Sequence, residues 1–261
     1  MARALALANR CGGAALALLG VGCGGGVPLL HGAHALAPGS TTSAVGFSST
    51  FTAGAARDAV DAARKSDTST AQRDDLLIKQ GVVAAALNPA VAPFLGMRVG
   101  LPGDNEAGLS YTGRFLRLDA RHAFESGPWA WSVGLGANTS WSSADTGGDP
   151  AAAEVQRRAG SLGFDIPLLV GWRSDAGIVS IWGGARGGTE RIGDWSSESN
   201  ALGLTHWRVG GIAGLSLGFR HIHAAVELET SYHGIRGNFG GTAVNMKGVT
   251  LTPAGGLLFS F

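Results

Sequence analysis

Val249-Thr250-Leu251-Thr252-Pro253-Ala254-Gly255-Gly256-Leu257-Leu258-Phe259-Ser260-Phe261 closes the chain, and its reading decides the fold. Taken backwards in steps of two, Phe261, Phe259, Leu257, Gly255, Pro253, Leu251 and Val249 share one face. Thr250, Thr252 and Ser260 share the other, with Leu258 as a lone exception. Successive side chains of a strand point to opposite sides, so this pattern predicts a strand with one oily and one mostly polar face.

The same alternation recurs upstream. Trp129, Trp131, Val133, Leu135, Ala137, Thr139 and Trp141 oppose Ser132, Gly134, Gly136, Asn138 and Ser140. Leu162, Phe164, Ile166, Leu168, Val170 and Trp172 oppose Gly163, Asp165, Gly171 and Arg173, with Pro167 and Leu169 out of pattern. Trp207, Val209, Gly211, Ala213, Leu215, Leu217 and Phe219 oppose Arg208, Gly210, Gly214, Ser216, Gly218 and Arg220, with Ile212 out of pattern. Ile222, Ala224, Val226, Leu228, Thr230 and Tyr232 oppose His221, His223, Glu227, Glu229, Ser231 and His233, and Leu116, Leu118 and Ala120 oppose Arg117, Asp119 and Arg121. Strands of about ten residues, tilted, cross the ~25 Å apolar band of an outer membrane.

The terminal strand ending on Phe261 resembles the C-terminal strand of Gram-negative outer-membrane β-barrel proteins, which their barrel-insertion machinery recognises. The resemblance implies an antiparallel transmembrane β-barrel over 44–261 in the bacterial outer membrane, with outer-membrane lipids and that machinery as partners. Strands are expected near 44–54, 92–101, 105–113, 114–124, 129–141, 160–173, 177–187, 206–220, 221–233 and 248–261. That makes ten, or eight if the first two stay out of the wall. The aromatics at strand ends, Trp129, Trp141, Trp172, Trp207, Tyr232 and Phe261, are expected at the lipid headgroups. A soluble β-sandwich also alternates, but its strands are mostly shorter.

Composition fits. Apolar residues are 45% and charged residues 15%, oily for a soluble domain and too polar for a helical membrane protein. After the N-terminal segment, the longest clean apolar stretch, Val82 to Leu87, is far short of a spanning helix. Positive and negative side chains nearly cancel, so no basic field points to nucleic acid.

The N-terminus reads as an export signal, with Arg3 and Arg10 ahead of a Gly/Ala-rich apolar run. Two processing sites compete. Ala33-His34-Ala35 offers small-x-small cleavage and a signal peptide of 1–35. Leu19-Gly20-Val21-Gly22-Cys23 is a loose lipobox, with a signal of 1–22 and lipidation at Cys23. Both cysteines, Cys11 and Cys23, lie in this segment, so nothing downstream forms a disulfide or thiolate site.

Short turns at 102–105, 125–128, 174–177 and 220–221 alternate with longer polar connections at 142–159, 187–205 and 233–247, as in barrels with short periplasmic turns and long outer loops. Residues 55–90 break the pattern. Ala55–Lys65 and the stretch from Asp74 to Leu87 are predicted as short helices, ended by Asn88-Pro89, in the first outer loop or folded into the barrel mouth.

Few motifs carry chemistry. Gly214-Leu215-Ser216-Leu217-Gly218 matches a nucleophile-elbow pattern, but lies inside a strand with no helix after it. His221 and His223, followed by Glu227 and Glu229, share a face, yet consecutive positions on that face rise ~6.6 Å and do not converge. No catalytic residue, metal or cofactor is predicted. Outer-membrane proteases and lipid A deacylases share the architecture. His206, Asp194, Asp145 and Asp149 are the outer-rim residues nearest their chemistry, without a recognisable motif. The inward ionic set is predicted as Arg117, Asp119, Arg121, Asp165, Arg173, Arg208, Arg220, Glu227 and Glu229, a network that fills a narrow lumen. The function expected is structural or surface-interacting through the outer loops. The alternatives are a narrow channel or small-solute binder, and a surface enzyme.

Overall fold

In the computed structural model, residues 26–54, 57–58, 78–83, 85–87, 90–141, 160–193, 202–239 and 242–261 are described. The strands are β1 (Thr41–Ser49), β2 (Phe51–Ala53), β3 (Val91–Leu101), β4 (Asn105–Tyr111), β5 (Phe115–Ser126), β6 (Trp129–Ser140), β7 (Gly160–Arg173), β8 (Val179–Gly193), β9 (Leu202–Phe219), β10 (Ile222–Phe239) and β11 (Thr242–Ser260). Each pairs antiparallel with the next along the wall, and β1 pairs with β11 to close the ring. β1 and β2 keep one register against β11, Ser48 facing Ala254 and Phe51 facing Leu251. They are one wall strand interrupted at Thr50. The wall therefore has ten strands, not eight, and no free edge.

The period-two pattern sets which way each residue faces. On β7, Leu162, Phe164, Ile166 and Leu168 point outward while Ser161 and Asp165 are buried inside. Outward residues such as Leu118, Trp131, Leu135 and Val226 are more than half exposed. A continuous apolar outer band around a polar interior is unstable in water and stable in a bilayer. This is a transmembrane barrel of the bacterial outer-membrane kind.

Aromatic rings mark the edges of that band. Trp129 and Trp172 face each other across β6 and β7 at the end bearing the short turns and Phe261. At the opposite end Tyr111 stacks on Trp141 with centroids 6.0 Å apart, and Trp207 lies 5.6 Å from Tyr232. Gly103, Gly127 and Gly177 take positive φ in the short turns, which an L side chain resists.

The outer connections differ from expectation. The loop predicted at 233–247 is strand, with β10 and β11 running to Phe239 and back from Thr242. Of the loop predicted at 187–205, residues 187–193 and 202–205 are strand, because β8 reaches Gly193 and β9 starts at Leu202, and 194–201 lie outside the described residues. Beyond the aromatic ring these strands reverse their chemistry: Ile192, Leu202, Leu204, Ile235 and Val244 point inward. They form an apolar pocket for helical residues 78–83 and 85–86, of which Val82 and Val83 are fully buried. The second predicted helix thus caps the outer mouth. The first, over 55–65, lies almost wholly outside the described residues, as do 142–159, Cys11 and Cys23.

Candidate functional site

The interior is the candidate site, and three layers occupy it. At mid-height runs an unbroken chain of alternating charges. Arg121 on β5 bonds Glu106 on β4 at 2.8 Å, and Glu106 bonds Arg98 on β3 at 2.9 Å. Arg98 reaches Asp119 at 2.8 Å, and Asp119 meets Arg117. Arg117 grips Asp165 on β7 through two bonds of 3.0 and 2.9 Å. Arg186 on β8 grips the same carboxylate through two of 3.1 Å, and also bonds Glu229 on β10 at 3.2 Å. Arg208 on β9 stands 3.8 Å from Asp165.

At mid-height five arginines (Arg98, Arg117, Arg121, Arg186, Arg208) stand with five carboxylates (Glu106, Asp119, Asp165, Glu227, Glu229), of which Glu227 is held by N–H groups and not by an arginine. Balance is what burial demands, because an unpaired ion inside costs several kcal/mol.

The second layer is the N-terminal segment. Residues 26–37 run inside the barrel, from Gly26 beside Thr50 and Thr252 to Leu36 and Ala37 against Gly100 near the short-turn end. Eight hydrogen bonds tie its backbone to side chains of the wall. Arg186 donates to Val27 O, Arg121 to Gly32 O and His34 O, and Ser48 to Gly26 O. The amides of Ala35 and Leu36 donate to Glu125 and Glu106. Those of Leu29 and Leu30 donate to the two oxygens of Glu227, at 2.7 and 3.0 Å. Leu30 has φ 49°, a left-handed conformation that leucine avoids. It lets successive N–H groups converge on one anion. Trp182, buried inside on β8, donates to the same carboxylate at 3.1 Å. Leu29, Leu30 and Ala33 pack on the inward-facing Phe94, Ala130, Leu169 and Ile212.

The third layer, under the outer cap, is a buried relay. Glu190 and His206 are 3.2 Å apart, His206 Nε2 and His233 Nδ1 share a hydrogen bond of 2.8 Å, and His233 Nε2 and Thr250 Oγ1 share one of 2.7 Å. The adjoining space is about 40 Å³, room for a few waters and for no substrate.

Of the nine ionic residues expected inside, Arg117, Asp119, Arg121, Asp165, Arg208, Glu227 and Glu229 face the lumen. Arg173 and Arg220 stand at the short-turn rim, where both line the mouth of the lumen and neither joins the charge chain. Arg173 is exposed at the short-turn rim, 3.9 Å from Glu125, and Arg220 occupies the β9–β10 turn with its guanidinium over the Phe219 ring. Both fall at strand ends, where the period that assigns faces gives way to turn geometry. Sequence reasoning missed Arg98, Glu106, Arg186, Glu190 and the whole inner segment.

Ser216 faces inward within β9, part of no helix. His221 meets Ser260 O, and His223 meets Gly177 O. Among the described residues no three His, Cys, Asp or Glu side chains converge on a point fit for a metal. Asp145, Asp149 and Asp194 lie outside the described residues.

No family model matches the chain, and no curated protein does. Among solved structures, it is similar to Ail, the attachment invasion locus protein of Yersinia pestis (11% identity, 86% of this chain and 100% of that one, TM-score 0.31). It is also similar to Neisserial surface protein A (11% identity, 85% and 96%, TM-score 0.32) and to the outer membrane protease OmpT from Escherichia coli (8% identity, 86% and 97%, TM-score 0.30). At such values these likenesses say nothing of what this chain does.

Proposed function

We propose that this barrel is a closed, non-conducting scaffold that holds its extended outer strands and connections at the cell surface for contact with a partner there. One observation carries the reading: the lumen is obstructed along its length, with a cavity left only toward the short-turn rim. The inner segment occupies the periplasmic half, paired charges cross the middle, and an apolar helical cap fills the outer mouth. A conduit needs polar groups lining a continuous path and weak enough binding for an ion to leave. Here the lumen charges are spent on one another.

The test is single-channel recording on refolded protein in planar bilayers, with Arg117→Ala and Glu227→Ala alongside. The expected record is silent for the unmodified chain, with the folded barrel verified by heat-modifiable migration. Discrete openings in the unmodified protein, changed in size or selectivity by either variant, would replace this reading with a channel. The enzyme alternative gains no support from the His206–His233 relay, which lies beneath the cap with no space for a substrate.

A further inference from the structure

The lumen is filled but not evenly. Toward the periplasm, the inner segment leaves a cavity of about 470 Å³ that reaches the short-turn rim. We infer that this cavity binds an amphiphilic monocarboxylate of medium chain length, tail inward and carboxylate at the rim.

The chemistry of the lining supports each half of that ligand. The inner part is apolar, made by Leu29, Leu30, Phe94, Ala44 and Leu258. A buried apolar recess of this size accepts an alkyl chain and lies within the range of small-molecule sites. The lining carries four arginines, Arg98, Arg121, Arg173 and Arg220, against two carboxylates, Glu106 and Asp175. Arg98 and Arg121 are committed to the charge chain. Arg173 and Arg220 are not: the first has one long contact to Glu125, and the second has no carboxylate within ion-pair distance among the described residues. Guanidinium groups hold a carboxylate through paired charge-assisted bonds.

A further polar group is available. His34 is 7% exposed and lines the cavity wall, its ring approaching the Pro128 carbonyl and leaving at least one nitrogen without a hydrogen-bond partner. Buried polar atoms without partners are uncommon, and a ligand oxygen is one way to satisfy them. A cationic amphiphile would meet the wrong sign of charge, and a neutral one would leave the rim arginines unused.

The probe is sodium octanoate, titrated calorimetrically into the full protein in zwitterionic phospholipid nanodiscs, with empty discs as the blank. Octanol and octyltrimethylammonium are the comparators. One octanoate should bind per barrel, about tenfold more tightly than either comparator. Arg173→Gln together with Arg220→Gln should cost about tenfold, and Ala44→Phe, which fills the recess, should abolish binding. Heat-modifiable migration confirms that each variant is folded.

Equal uptake of all three amphiphiles, or binding untouched by Ala44→Phe, would mean partition onto the lipid-facing wall and overturn the site. Heat no greater than that of empty discs would overturn it too. So would an intact mass showing that the protein begins at Leu36, since Leu29 and Leu30 would be gone. Channel openings alongside intact octanoate binding would sink the scaffold reading and leave this one standing.

Discussion

Asp165→Asn is the sharpest probe of the charge chain. Asp165 accepts four hydrogen bonds, two from Arg117 and two from Arg186, and has Arg208 at 3.8 Å. Its side chain and those of Arg117 and Arg186 are at most 1% exposed. Asparagine keeps the shape but removes the charge, leaves five arginines facing four carboxylates, and turns an NH2 toward a guanidinium. Breaking a buried pair by removing one partner costs about 3–5 kcal/mol. Glu125→Gln, which weakens the half-exposed rim contact with Arg173 and leaves an oxygen to accept from the Ala35 amide, should cost no more than ~1 kcal/mol. Charge balance also predicts a rescue: adding Arg208→Gln to Asp165→Asn restores equal numbers and should recover about 1–2 kcal/mol. Equilibrium urea unfolding in phospholipid micelles, followed by tryptophan fluorescence, measures all three. If Asp165→Asn falls within ~1 kcal/mol of Glu125→Gln, or Arg208→Gln makes it worse, then water and not pairing neutralises the lumen, and the argument from balance is wrong.

The remaining predictions concern other layers. A Cβ on Gly234 would lie inside the Trp207 indole, so Gly234→Val should displace that ring and cost about 1–3 kcal/mol in the same unfolding assay. Gly203→Val, with open space at its Cβ, is the control that should change little. Val83→Asp places an unpaired charge in the outer apolar cap, which should unlatch residues 78–87 without opening the wall. Protease added outside whole cells should then cut this segment at least about tenfold faster than in the unmodified protein, while heat-modifiable migration persists.

Much of the wall was legible because lipid demands a regular alternation and a tilted crossing of nearly constant length. Where one face must be apolar and the other not, each residue's side follows from counting. Legibility failed where that demand lapses. β3 has Phe94 and Arg98 on the same inward face, which hides both. β8 contains Gly183-Gly184-Ala185-Arg186-Gly187-Gly188, where glycines give no sign of face and Arg186 stands unannounced. Above the aromatic ring, Leu202 and Leu204 turn inward, against the apolar-out alternation followed below it, so the stretch read as loop. Leu169 and Ile212 were the informative anomalies. Two apolar residues pointing into a polar lumen imply something apolar within it, and the inner segment packs against both.

That segment also bears on the two processing sites. Ala33-His34-Ala35 has the small residues that leader cleavage requires, but a crowded lumen requires them too. Ala33 is fully buried, and a Cβ on Gly171 would press on it. Cleavage after Ala35 would leave Glu227 with Trp182 alone and strip both carbonyl acceptors from Arg121. Each buried donor or acceptor so orphaned costs about 1–3 kcal/mol unless water replaces the lost partner. Leu30 would have no reason to hold a left-handed φ if its segment were discarded. The prediction is that the mature protein, purified from the outer membrane of a Gram-negative host, retains residues 26–36, seen by intact mass and by a peptide covering them. A chain starting at Leu36 would refute it. Lipid on Cys23 is constrained by the same geometry. Gly26 sits at the level of Thr50 and Thr252, well up the wall from Thr41 at the periplasmic end. Three further residues do not bring Cys23 back to the periplasmic leaflet while the segment stays inside. A diacylated chain whose residues 26–36 are cut by periplasmic protease would therefore show the segment withdrawn, and an acylated chain protected there would show that its lipid lies elsewhere than in that leaflet.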